Sequence, residues 1–194
     1  MKKISPNDVR GPRLYEGFRD DLRKRVIELK KRRRFGVGPM VTLVFENRAT
    51  VLFQIEEMCR AESIADPAKI AEEVSVYNAL LPDEGELGAT LFVELVDQAT
   101  LATALDELVG LQEHVWLDVG DARIRAKFDP DQFAADKLAA VQYLRFPLDA
   151  GAQDAMKKPG TPLRLRIDHR NYAHATELGE AGRAELVGDL AERD

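Results

Sequence analysis

Gln54, Glu57 and Glu62 stand in "TVLFQIEEMCRAE" (50–62), a segment otherwise rich in large apolar side chains. On a helical wheel of roughly 100° per residue, Val51, Ile55, Met58 and Cys59 share one side, and Thr50, Phe53, Ala61 and Ile64 share another. Only Glu56, Arg60 and Ser63 remain as a wet strip, with Glu56 and Arg60 as an i,i+4 ion pair on it. Gln54, Glu57 and Glu62 then point inward. An isolated buried charge is too costly to persist, so each carboxylate must be paired, protonated or bound to something. Paired, they would meet arginines such as Arg48 or Arg145 in salt bridges that fix packing without contributing chemistry. Unpaired, they would line a pocket as acid/base or binding groups. Glu73 and Tyr77, four residues apart on the following helix, reach the same flank and would join them.

Other chemistry is weakly signalled. His169 and His174 match neither the i,i+4 pair of a zinc helix nor a Cys/His finger, so no metal site is expected, and no cofactor is specified. The single cysteine, Cys59, excludes an internal disulfide and sits on the apolar side, as an inert core thiol would. No phosphate-binding loop, dinucleotide glycine fingerprint or nucleophile elbow is present.

A second surface arises from "HVWLDVGDARIRAKF" (114–128). Two alternating runs flank Gly120-Asp121, a pair suited to a two-residue hairpin. The register pairs Val119 with Ala122, Asp118 with Arg123, Leu117 with Ile124, Trp116 with Arg125 and His114 with Lys127. If "LRLRID" (163–168) joins this sheet, Trp116, Arg123, Arg125, Lys127, Arg164 and Arg166 share one face. That face could stack a base and track phosphates. The alternative is an ordinary wet sheet face, with Asp118 neutralising Arg123 and the Arg125 guanidinium covering Trp116. The net charge of −6 favours the second reading.

The elements that would position these groups follow from breakers and periodicity. Pro12 opens a helix toward Arg34, burying Tyr15, Phe18, Leu22, Val26 and Leu29. "MVTLVF" (40–45) is a buried strand. Asn47 caps the central helix over 47–64, and Asp66-Pro67 opens the next, to about Leu81. Strands are expected at 88–97, in the hairpin, at "VQYLRFPLD" (141–149) and at 163–168, and helices at 100–111, 129–140 and 177–193. Helices mixed with hairpin strands argue for an α+β fold, an antiparallel or mixed sheet packed with helices around the buried 47–64 helix.

At 194 residues and 45% hydrophobic content, residues 1–194 are expected to form a single domain. Thirteen Lys/Arg face five Asp/Glu in residues 1–34, whereas residues 35–194 carry a net −14. A basic arm for an anionic partner would explain the asymmetry; so would a helical segment over about 12–34 lying on the protein's own acidic body. With no apolar run of membrane-spanning length and no signal-like N-terminus, a soluble cytoplasmic protein is expected.

The motifs "FENRATVLFQIEEMCRAE" (45–62), "YNALLPDEGELGAT" (77–90), "AVQYLRF" (140–146) and "DHRNY" (168–172) resemble those of bacterial domain-of-unknown-function family 3501. Arg170 stands where the family pattern has proline, which puts that turn in question. The resemblance implies no established activity. It does imply an accessory or binding role in redox or peroxide defence, beside an iron–sulfur or rubrerythrin-like partner. The competing expectation is an enzyme whose pocket is lined by Gln54, Glu57 and Glu62.

Overall fold

The computed structural model describes residues 1–94, 98–129 and 138–191. Among the described residues, nine strands, all paired antiparallel, form two sheets. They are β1 (Arg34–Val37), β2 (Val41–Glu46), β3 (Glu86–Val93), β4 (Val115–Val119), β5 (Ala122–Arg125), β6 (Lys127–Phe128), β7 (Val141–Pro147), β8 (Leu163–His169) and β9 (Tyr172–Glu177). One sheet has the order β1-β2-β3-β7-β6 and the other β5-β4-β8-β9. The helices are α1 (Pro12–Tyr15), α2 (Arg19–Lys31), α3 (Arg48–Ala61), α4 (Pro67–Tyr77), α5 (Gln98–Glu107), α6 (Ala150–Lys157) and α7 (Glu180–Ala191). The protein is α+β.

Strand alternation builds the main core. Val41, Leu43 and Phe45 of β2, Leu87, Ala89 and Leu91 of β3, and Leu144 and Phe146 of β7 turn one face of the first sheet inward. They meet Val115, Leu117 and Val119 of β4 and Leu163, Leu165 and Ile167 of β8 in one apolar cluster. A smaller cluster, Val51, Ile55, Cys59, Val74 and Leu81 with Met1 and Ile4, joins α3 to α4 under the N-terminal strand of chain. The hairpin forms in the expected register from Trp116↔Arg125 to Val119↔Ala122. It does not extend to His114 and Lys127. After Ala126 the chain changes sheet, and Lys127 pairs with Arg145 of β7.

Three elements lie beyond the sequence reading. β1 replaces the end of the first expected helix, and β9 and α6 fill segments for which no element was expected. The helix expected over 129–140 falls mainly on 130–137, outside the described residues. Arg170-Asn171 makes the tight turn between β8 and β9 without proline. Tyr172 then clamps the β1–β2 hairpin: its hydroxyl donates to Val37 O at 2.6 Å and accepts from Met40 N and Val41 N at 2.9 and 3.1 Å. Gly38 must be glycine there. Its φ is +75°, and a Cβ would come within 2.6 Å of the Tyr172 hydroxyl.

The basic N-terminal segment lies on acidic groups of the same chain. Lys3 pairs with Asp83, Arg10 with Glu56, Arg19 with Glu57, and Arg34 with Glu94. Arg33 is fully enclosed, donating to Phe45 O at 2.9 Å and Glu46 O at 3.3 Å and pairing with Glu185 and Asp189 of α7. The expected single helix breaks at Glu16–Phe18. Tyr15 and Val26 are buried as expected, but Phe18 is exposed beneath the Arg10 guanidinium. No helix among the described residues is long and apolar enough to cross a membrane.

Candidate functional site

The outer face of the first sheet carries a row of side chains fixed by strand register. Glu46 lies opposite Gly88, Gly88 opposite Arg145, and Arg145 opposite Lys127. The next row is Val44, Thr90 and Tyr143. Cross-strand neighbours of this kind stand about 5 Å apart. Gly88 lets the chain after α4 come close, since a Cβ would meet Leu80 O at 3.0 Å.

Two helices roof this face. Asn47 caps α3 by accepting from Thr50 N, while Thr50 Oγ1 accepts from Asn47 N in return. That box holds Thr50 over the preceding carboxylate. On α4, Glu73, Val76 and Tyr77 recur at i, i+3 and i+4 and so face one way, and Leu80, in the 3₁₀ turn Asn78–Leu80 that follows, lines the same cleft. They enclose with the sheet a cleft of about 690 Å³, which Met58, Lys127, Phe128, Asp129, Tyr143 and Arg145 also line. This volume suits a small organic ligand.

The floor of the cleft is Glu46, 4% exposed. Its Oε1 accepts from Thr90 Oγ1 at 2.9 Å, and its Oε2 from Thr50 Oγ1 and from Gln54 Nε2 at 3.1 Å. All three donors are neutral. They orient the carboxylate without cancelling its charge. On the wall, Glu73 makes no hydrogen bond or ion pair among the described residues. Burial pushes the Tyr77 phenol up, and Glu73 and Tyr143 add to the rise, so Tyr77 is a hydrogen-bonding group that keeps its proton. Arg145 is committed elsewhere: its guanidinium bonds Asp83 at 2.8 Å, Glu86 at 3.2 Å and Ala79 O at 2.7 Å.

The expected site residues therefore divide. Glu73, Tyr77 and Arg145 line the cleft, and Gln54 reaches it through Glu46. Glu57 lies apart, accepting from Tyr15 Oη at 2.6 Å and held by Arg19 at 2.8 and 2.9 Å. The Arg19 guanidinium holds the Glu57 carboxyl below its usual range. Glu62, expected inward, is the exposed C-cap of α3, because the helix ends at Ala61 and not at 64. Arg48 pairs with Asp8 at 2.8 Å, not with an inward carboxylate. Glu56, expected on a wet strip beside Arg60, is 1% exposed beneath Arg10, while Arg60 pairs with Glu16. The wheel described α3 alone; the N-terminal segment covers the face it left open. Cys59 is buried, and burial pushes its thiol up.

Glu46 escaped the sequence reading, which ended the strand at Phe45. Its signal was alternation: Thr42, Val44 and Glu46 share a face, and Glu46 immediately precedes the cap residue of a helix.

The arginine-rich sheet face is neutralised. Asp118 binds Arg123 at 3.2 Å and Arg166 at 2.8 Å, Glu177 binds Arg164 at 2.8 Å, and Glu113 pairs with Arg125. Arg123 and Arg125 lie 5.8 and 5.9 Å from the Trp116 ring centre, and the indole N–H donates to Asp168 at 2.9 Å. As a surface for phosphates it has lost its charge. The edge-on pair His114 and His169 has no free ligand nitrogen on His169: Nδ1 accepts from Asn171 N and Nε2 donates to Val109 O. Burial pushes His169 down, consistent with a neutral ring. Among the described residues, no three His, Cys, Asp or Glu side chains gather to hold a metal ion.

No curated protein matches the chain. A crystal structure of a protein of unknown function from Burkholderia pseudomallei K96243 is similar to it, with a TM-score of 0.91 and 34% identity over 97% of this chain and 100% of that one. The match to the DUF3501 family, proteins of unknown function, runs over residues 3–190, and the chain belongs to that family.

Proposed function

We propose that the protein binds a small organic molecule in the cleft between α3, α4 and the outer face of the first sheet. The observation that carries this reading is Glu46, a buried carboxylate at the floor of a ligand-sized cleft, oriented by three neutral donors and paired with no cation among the described residues. By contrast, the enclosed carboxylates of Glu56 and Asp189 each pair with an arginine, Arg10 and Arg33. Thermal-shift screening of a fragment library tests the reading. Ligands that bind the folded state raise the melting temperature by mass action. Val76→Trp, placed at an exposed position on the cleft wall, should narrow the cleft and abolish the shifts. Shifts of equal size in that variant would place binding elsewhere.

The fixed aim of Glu46 and the protonated Tyr77 phenol also favour an acid/base role in the same cleft. Under that reading, Glu46→Gln would lower the turnover of a reactive ligand by far more than it weakens the ligand's binding. The family resemblance supports setting this binding function beside an iron–sulfur or rubrerythrin-like partner in peroxide defence. Pull-down from peroxide-stressed cells should recover such a protein, and its absence would end that part of the proposal.

A further inference from the structure

Resting on the cleft as a binding site, we infer that its ligand is an organic cation: an ammonium-bearing molecule with an apolar or aromatic body. Charge comes first. Among the described residues, the carboxylates of Glu46 and Glu73 line the cleft against two cations, Lys127 and Arg145; Asp129, also in the lining, is exposed and has an interaction of its own. Arg145 is already neutralised by Asp83 and Glu86 on its far side. Lys127 sits exposed at the rim, on the two-residue strand β6. The inner space is therefore negative, and its deepest group is Glu46.

Burial decides the strength of this preference. A carboxylate enclosed with neutral donors alone lacks the opposite charge that makes burial favourable. A ligand N–H⁺ directed at Glu46 supplies that charge, with a charge-assisted hydrogen bond stronger than those from the threonine hydroxyls. Glu73 offers a second acceptor on the wall, uncommitted within the described residues. An anionic ligand would meet the opposite situation, the like charges of Glu46 and Glu73, with exposed Lys127 to offset them among the described residues.

The rest of the lining fits the same class. Tyr77, Phe128 and Tyr143 provide aromatic rings, whose negative faces attract ammonium groups within about 6 Å. Met58, Val76 and Leu80 provide apolar surface for the ligand's body.

Three soluble probes of one shape separate the possibilities: phenethylammonium, neutral 2-phenylethanol and anionic 3-phenylpropanoate. Methyl resonances of the methionines report where they bind. Met58 lines the cleft, whereas Met40 and Met156 pack against the main core. Phenethylammonium should shift the Met58 methyl, leave those of Met40 and Met156 in place, and bind roughly tenfold or more tightly than 2-phenylethanol. Glu46→Gln should erase most of that gap, and Glu73→Gln, at a half-exposed position that folding tolerates, should narrow it. Unchanged Met40 and Met156 resonances establish that each variant is folded. If the alcohol binds as well as the ammonium, or the gap survives in both variants, the cation assignment is wrong while the cleft remains a binding site. If no probe moves Met58, the cation assignment and the cleft both fall.

Discussion

Replacing Arg33 by methionine removes a fully enclosed guanidinium that ties the end of α2 to α7 and to the junction of β2 with α3. The substitution keeps the volume of the stem and none of the donors to Phe45 O, Glu46 O, Glu185 and Asp189. Asp189, with a side chain 8% exposed, then loses its cationic partner. Breaking one side of a buried ion pair costs about 3–5 kcal/mol. At about 2–4 °C per kcal/mol for a chain of this size, the melting temperature should fall by roughly 6–20 °C. The pH dependence is a sharper test. Burial pushes the Asp189 carboxyl up, and Arg33 works against that rise; without the guanidinium the carboxyl rises further. A carboxyl raised on folding imposes its full penalty above the folded value, and none below the unfolded value of about 3.8. The gap between wild type and Arg33→Met should therefore shrink from about pH 7 to about pH 4 in scanning calorimetry. Arg33→Met combined with Asp189→Leu should recover most of the loss, since an apolar pair of similar volume often matches a buried ion pair. A gap that widens on acidification, or a single variant melting within about 2 °C of wild type, would refute the reasoning.

Glu57→Gln should cost about 1–2 kcal/mol near neutral pH, because it weakens the contacts with Arg19 and Tyr15. Arg19 depresses the Glu57 carboxyl in the folded state, so this contribution is present above the unfolded value of about 4.5 and fades as pH falls through the folded one. Urea titrations across pH should show the two proteins converging in acid; parallel curves would contradict the assignment. Gly38→Ala should destabilise by about 1–3 kcal/mol, from the left-handed backbone and the contact with Tyr172 and His174; an unchanged melting curve would show that the clamp is loose. Arg125→Ala should change stability by less than about 1 kcal/mol, as expected for an exposed pair. Fluorescence anisotropy should detect no low-salt binding of single-stranded DNA by either protein, and salt-sensitive binding lost in the variant would restore the phosphate-surface reading.

Local chemistry made part of this molecule readable from its sequence. Gly120-Asp121 between alternating runs specified the four pairs from Trp116–Arg125 to Val119–Ala122, because a two-residue turn leaves one register, but not where the pairing stops. Asp66-Pro67 started α4 with its cap, and the spacing of Glu73 and Tyr77 placed both on the flank that became the cleft wall. β9 was illegible because residues 173–175 are all exposed, so its sequence has no alternation. β1, four residues between a helix and a turn, was too short for a periodic signal.

Which polar groups are enclosed, and by what, belonged to the tertiary structure alone. Glu56 is enclosed because the segment from Met1 to Arg10, of which a helical wheel contains no information, covers one side of α3, and Glu62 is exposed because the helix stops before it. Arg33 reads as one member of a basic run, yet it is the enclosed one. Glu46 becomes the floor of a cleft only when Thr90 and Thr50, brought in by β3 and α3, close around it. Periodicity is a property of neighbouring residues, whereas burial of a charge depends on partners tens of residues away, and only the folded chain brings those together.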